Sequence, residues 1–210
     1  PIVHTADDLS VMQTLEALPF ITRSVRAIYA DKQYHIGPST IPMRQNPYGS
    51  ATKDNPDLER IPMASRDPRH NALFAAAWAL GYAARCLAAQ PQMLTLSALA
   101  GDFGLIAGQD EPSSSGGVRP LFHVVKALSE LAGADWRECL VSNPQQVAAL
   151  AAVGPKNRRS VMIANLTAHS ITADVSALGL ANDTGISMLD EDSADHPARR
   201  TEHSSAPQML

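Results

Sequence analysis

Tyr34-His35-Ile36-Gly37-Pro38 opens the stretch, running to residue 90, whose order decides the fold. This short β-like run enters a long polar loop carrying Arg44-Gln45-Asn46-Pro47-Tyr48-Gly49, and the loop ends at Arg66-Asp67-Pro68-Arg69-His70. An Ala-rich helix over 71–89 comes next. A second apolar run, Met93-Leu94-Thr95-Leu96-Ser97-Ala98-Leu99, then reads as a buried strand. Strand, long loop, buried helix and strand again is the order of a parallel α/β protein, and such folds carry their chemistry in the loops that follow the strands.

The loop over 39–65 holds Pro42, Pro47, Pro56 and Pro62 with Asn46, Gly49, Asp54 and Asn55. Loops of this length in compact domains are usually functional or disordered. Asp67 suits a helix N-cap, with Pro68 at the first helical position. The helix is apolar on nearly every side, through Leu73, Phe74, Trp78, Leu80, Tyr82 and Leu87 among many alanines. It must therefore be covered on more than one side, by a second domain or a partner subunit.

Upstream, Ile2-Val3-His4 reads as a strand already under way, so the chain is expected to be the C-terminal part of a longer protein. Thr5 can cap a helix, and Asp7 and Asp8 suit the positive end of its dipole. Leu9, Val11, Met12, Leu15 and Leu18 form its apolar stripe, expected to stop before Pro19; residues 20–29 fit either a helix or a strand. Downstream, Gly101-Asp102-Phe103-Gly104 precedes a flexible loop over 110–117. A helix over 121–131 then presents Leu121, Val124, Val125, Leu128 and Leu131 on one face and stops at Gly133. Three strand-then-helix units stand in a row.

From about Arg137 the texture changes. Ser160-Val161-Met162-Ile163-Ala164-Asn165-Leu166-Thr167, Ser170-Ile171-Thr172-Ala173-Asp174-Val175 and Gly185-Ile186-Ser187-Met188-Leu189 read as strands without intervening helices, which suggests a small antiparallel β domain. A loose polar tail is expected beyond Asp190. The expected division is 1–136 for the α/β part and 137–210 for the β part.

The net charge of −4 and pI near 6.0 give no basic face for nucleic acid. The uncharged run over 71–84 is too short and too rich in alanine to span a bilayer. Cys86 and Cys139 make neither a metal-ligand spacing nor a disulfide framework, and no stretch reads as a signal peptide, so a cytoplasmic setting is the simplest expectation. His70, His123 and His203 have no partners at metal spacing. Neither a metal nor another cofactor is expected.

The order of Val3-His4-Thr5-Ala6-Asp7-Asp8, Ile36-Gly37-Pro38, Arg44-Gln45-Asn46-Pro47-Tyr48-Gly49, Asp67-Pro68-Arg69, Ala75-Ala76-Ala77-Trp78-Ala79-Leu80-Gly81-Tyr82 and Ala164-Asn165-Leu166-Thr167 resembles the C-terminal half of the D-apionate lactonase family, bacterial proteins of sugar-acid catabolism. The resemblance covers most of the chain up to about Leu189. It implies a (β/α)8 TIM-type barrel related to glycoside hydrolases, followed by a β-sandwich, with this chain starting near barrel strand six. The implied activity is opening of D-apionolactone to D-apionate.

In a barrel of this kind the loops after the three strands share one mouth. They would gather His4, Asp7 and Asp8 from the first, Arg44, Asn46 and Tyr48 from the second, and Asp102 from the third. Lactone hydrolysis needs a base to activate water and a donor to steady the oxyanion. His4, Asp8 and Asp102 are the catalytic candidates; Arg44, Asn46 and Tyr48 are the substrate-binding ones. Against these stand blander readings: His4 as a structural residue, Asp7 and Asp8 as helix-terminal charges, and Arg66 with Asp67 as a cap and its ion pair.

A retaining glycosidase of the related barrel clan would place a carboxylate at the end of strand seven. Here that end reads Ile36-Gly37-Pro38-Ser39. A sugar lactone or sugar acid is thus the expected partner, with no nucleic acid or membrane. A homo-oligomer, or contact with the missing N-terminal part of the barrel, would complete the sheet. The rival functions are a glycoside hydrolase using carboxylates elsewhere, and a non-catalytic carbohydrate-binding or assembly fragment.

Overall fold

The computed structural model describes residues 5–46, 49, 51–108, 117–180 and 184–194, with the backbone of 198–200 and 208–209. The strand expected at 2–4 and nearly all of the loop expected at 110–117 lie outside these residues.

Helix α1 (Asp8–Gln13) is capped by Asp7, whose Oδ2 accepts from Ser10 N at 2.7 Å; Thr5, the expected cap, instead accepts from Asp7 N. A 3-10 turn over Thr14–Ala17 leads directly into α2 (Leu18–Ile28), with Pro19 in its first turn. Pro19 therefore starts a helix where a stop was expected, because a first-turn proline has no intrahelical N–H bond to lose. The ambiguous residues 20–28 are helical. Leu18 and Thr22 face inward, while Phe20, Ile21 and Ile28 remain exposed. Arg26 ties the helix to the next layer by donating to the carbonyls of Ala89, Gln90 and Lys32.

Strand β1 (His35–Ile36) is followed by the long loop, a 3-10 turn at Pro68–Asn71 and α3 (Leu73–Cys86). Next come β2 (Met93–Leu94), β3 (Ala98–Ala100), β4 (Gly104–Ile106) and α4 (Pro120–Glu130). β1 pairs with β2 in parallel, His35 opposite Met93, as the strand-helix-strand order requires. Gly37 permits the close approach beyond this pair: it has φ +120°, and a Cβ there would lie 2.4 Å from Thr95 O. The strand expected over 93–99 is broken in two, with Met93 and Leu99 exposed. The chain then winds through Gly101 so that β3 and β4 pair in parallel, Ala98 opposite Gly104.

The remaining strands are β5 (Asp135–Glu138), β6 (Val147–Val153), β7 (Arg159–Asn165), β8 (Thr172–Ala173), β9 (Ile186–Met188), β10 (Ala198–Arg200) and β11 (Gln208–Met209). β5, β6 and β7 form an antiparallel sheet in that order. Along β6 alternate residues are buried, Ala148, Leu150 and Ala152. Among the described residues beyond Asp190, β10 pairs with β9 and β11 with β8, both antiparallel.

One core joins the layers. Trp78, Ala79, Tyr82, Ala83 and Cys86 of α3 are buried with Val11 and Leu15 on one side, Leu121 and Val124 of α4 on another, and Ala148, Leu150 and Ala164 of the β sheet on a third. The all-round apolar helix is thus covered within the chain itself. Fully burying a leucine-sized side chain contributes roughly 1.5–3 kcal/mol, so α3 is the main source of cohesion. Among the described residues, no helix is long and apolar enough to cross a membrane.

Candidate functional site

The loop between β1 and α3 is ordered by its own side chains. Asn55, 3% exposed, donates from Nδ2 to Glu59 O and Arg66 O and accepts from Glu59 N. Lys53 and Ala64 bridge its two limbs. These contacts hold the segment 60–70 against the loops on either side, and the arginines of that segment do the joining.

Toward the first loop, Arg60 Nη1 meets Asp8 Oδ2 at 2.8 Å and Arg69 Nη1 meets Asp8 Oδ1 at 3.4 Å. Arg69 also donates to Thr5 O at 3.0 Å. Its strongest tie is to Asp67, with Nη2 to Oδ2 at 2.7 Å and Nε to Oδ1 at 3.0 Å, and both side chains are nearly sealed from water. Burial alone would lower the pKa of Arg69, but the hydrogen bonds and charge of Asp67, aided by Asp8, outweigh it and raise the value. Asp67 caps the Pro68–Asn71 turn as expected. Its ion-pair partner, however, is Arg69 and not the adjacent Arg66, because the fork of a guanidinium two residues on reaches both carboxylate oxygens.

Toward the third loop, Arg66 Nε lies 3.1 Å from Asp102 Oδ1. The buried Nε–H is out of line for a hydrogen bond and finds no other acceptor among the described residues, so this contact is charge against charge. Asp102 keeps 38% of its side chain exposed. Arg44 lies over the ring of the next residue, Phe103, at 4.6 Å, a cation–π stack that places a second guanidinium on the Asp102 turn. The long loop after β1 and the turn between β3 and β4 thus meet through these two contacts.

The individual candidates fare differently. Arg44 is brought over Phe103, the residue next to Asp102. Asp8 is engaged by two arginines. Asn46 is half-buried, and its carbonyl accepts from Gly49 N. Asp7 is a helix cap whose carboxyl the Ser10 hydrogen bonds hold below the usual range. His4 and Tyr48 lie outside the described residues. Among those described, no group of three or more His, Cys, Asp or Glu converges in the manner of a metal site.

Ser39 lies just after β1, in the stretch whose sequence reading gave no glycosidase carboxylate. It donates to Tyr82 Oη at 2.8 Å. Burial pushes the Tyr82 phenol up to about 12, so it stays protonated near neutrality and is no base for a serine nucleophile. Burial likewise raises the Cys86 thiol to about 11, which removes it as a nucleophile.

Reasoning from sequence missed Arg66 as a site residue, together with Phe103 and Arg69. Arg66 and Arg69 flank the Asp67-Pro68 cap, and that adjacency was the available signal. Phe103 gave one too, as the large apolar residue of a Gly-Asp-Phe-Gly turn.

Comparison with known proteins agrees with the resemblance. A family model described as the D-apionate lactonase TIM barrel domain matches residues 1–133, and one described as the D-apionate lactonase C-terminal immunoglobulin-like domain matches 144–209. The D-apionate lactonase of Brucella anthropi is 58% identical over 175 residues, which cover 83% of this chain and 28% of that relative. No solved structure matches. On the extent of the barrel-domain match, the chain belongs to the D-apionate lactonase family.

Proposed function

We propose that the chain contributes part of the active site of a lactonase that opens D-apionolactone to D-apionate in carbohydrate catabolism. The observation that carries this reading is the Asp102 carboxylate, partly exposed beside Arg66 and one residue from the Phe103 ring on which Arg44 stacks. Asp102 takes a proton from water, and the hydroxide adds to the lactone carbonyl. Arg44 steadies the resulting oxyanion, and the charge of Arg66 beside Asp102 adds to the positive field there. Collapse breaks the ring C–O bond, and the leaving alkoxide takes up a proton. The ring-opened product is a hydroxy acid that ionises at neutral pH, so each turnover releases one proton.

Asp8 holds Arg60 and Arg69 in this reading; His4 is the alternative base, and Asn46 and Tyr48 complete the substrate contacts. Residues 1–136 are read as the closing strands and helices of a (β/α)8 barrel and 137–210 as the β-sandwich domain. A cytoplasmic bacterial setting accompanies them. The residues before the barrel strands represented here would supply the rest of the mouth.

The test is proton release from D-apionolactone by the complete protein, with an aryl glycoside alongside. Turnover of the lactone alone supports the proposal. Turnover of the glycoside favours a glycoside hydrolase with its carboxylates elsewhere, and silence on both favours a carbohydrate-binding or assembly role.

A further inference from the structure

The turn that carries Asp102 and Phe103 is held unusually tightly. Gly104 N donates to Gly101 O at 2.7 Å, Gly101 N to Ile106 O at 3.1 Å and Ala98 N to Phe103 O at 2.8 Å. Ser97 Oγ donates to Phe103 O at 2.7 Å. Position 104 strongly favours glycine, since a Cβ there would stand 2.3 Å from the main-chain carbon of Ala100.

This winding turns the carbonyls of Gly101, Gly104 and Ile106 toward one point. Arg119 Nη1 fills it, at 2.8, 2.7 and 3.3 Å from the three oxygens. Three converging carbonyl dipoles repel one another unless a cation stands among them, much as a metal ion does among its oxygen ligands. Arg119 is only 2% exposed, and its Nε donates to Asn71 Oδ1 just before α3. His70 Nε2 sits 3.0 Å from the same Gly104 oxygen. Arg119 N donates to Leu105 O at 2.9 Å. The arginine is therefore fixed from its backbone outward and grips the turn from beneath, while Asp102 is partly exposed beside Arg66.

We propose that Arg119, seated at the N-terminus of α4, is the positioning residue for Asp102: its guanidinium holds the Gly101–Gly104 turn wound through three carbonyls. The assignment rests on the lactonase reading for its catalytic consequence, though not for its structural one. Without the guanidinium the converged carbonyls push apart, the turn relaxes and Asp102 leaves its place beside Arg66. Substrate contacts made by the other loops are untouched, so the loss falls on kcat and spares KM. Arg119→Lys keeps the charge among the carbonyls but loses the bond to Asn71, and it restores part of the function.

The experiment compares the complete wild-type protein with Arg119→Met, Arg119→Lys, Asp102→Asn and the Arg119→Met/Asp102→Asn double variant. Amide hydrogen exchange is read at Gly101 and Gly104, and turnover of D-apionolactone is measured alongside. Exchange at the two glycines is expected to accelerate at least about tenfold in Arg119→Met while α3 amides keep their protection. The expected kcat loss in Arg119→Met is about 100-fold, with KM within about threefold of wild type. The double variant is expected to be no slower than Asp102→Asn alone, because Arg119 acts through Asp102. Arg119→Lys gives an intermediate acceleration and carries the exchange test if Arg119→Met does not fold.

Unchanged exchange in the variants overturns the proposal. So does a double variant slowed by the product of the two single losses. If wild type leaves the lactone intact while exchange still responds to Arg119, the lactonase reading fails and the structural grip stands.

Discussion

Arg66 Nε and Asp102 Oδ1 lie 3.1 Å apart, joining the end of the long loop after β1 to the turn between β3 and β4. Through this pair, and through Arg44 on Phe103, two loops far apart in sequence share one polar surface. Arg60 and Arg69 draw the first loop to the same segment through Asp8. The site is thus assembled around the stretch 60–70, whose arginines face both ways.

The buried pair beneath that surface should govern folding. Asp67 and Arg69 have side chains 4% and 3% exposed, and removing one partner strands the other charge away from water. Asp67→Asn is expected to lower stability by about 3–5 kcal/mol, read from the shift in urea midpoint at constant slope. A loss below about 1 kcal/mol would mean that water reaches the pair as it does at a surface.

Asp7 offers a pH test of the α1 cap. Its folded pKa lies below the ordinary 3.8 because of the Ser10 hydrogen bonds. A depressed carboxylate contributes stability that is fully present above the unfolded value and is lost as pH falls through the folded one. Asp7→Asn keeps a capping oxygen and removes only the charge. Wild type should therefore exceed it in thermal stability at pH 7, with the gap closing below about pH 3.8. A gap independent of pH would refute the assigned cause.

Gly104→Ala tests the turn without touching a charge. The added methyl meets the main chain of Ala100, and relief costs about 1–3 kcal/mol. The expected outcome is a folded protein whose lactone turnover falls in kcat. Turnover equal to wild type would show that the winding of this turn does not matter to the site.

How much of this was legible in the sequence depends on what the contacts are made of. α3 and its all-round cover could be read because buried helices are written in apolar side chains, and Leu121 and Val124 of α4 followed their stripe into the core. The strand over 160–167 was legible by the same token, while its partner β6 was not named. Pro19 misled because a proline that ends one helix and a proline that begins the next look alike in sequence. The run over 93–99 misled because its first part pairs with β1 and its last part with β4, across a turn that depends on carbonyls which every residue possesses. Arg119 was invisible for the same reason: its partners are main-chain oxygens of Gly101, Gly104 and Ile106.

The outer face of α2 carries Phe20 at 66% and Ile28 at 70% exposure, with Ile21 between them. An apolar face of this kind marks a contact surface. The 210-residue chain studied alone is expected to self-associate, and Phe20→Ser/Ile28→Ser to shift it toward monomer in sedimentation velocity. Identical sedimentation of the two proteins would remove α2 as the contact.

The most direct measurement is proton release from D-apionolactone by the complete protein, wild type against Asp102→Asn. The account requires turnover by wild type and a loss in kcat of roughly 100- to 10,000-fold in the variant, the range expected for removal of a general base. An Asp102→Asn protein that opens the lactone at the wild-type rate would contradict it.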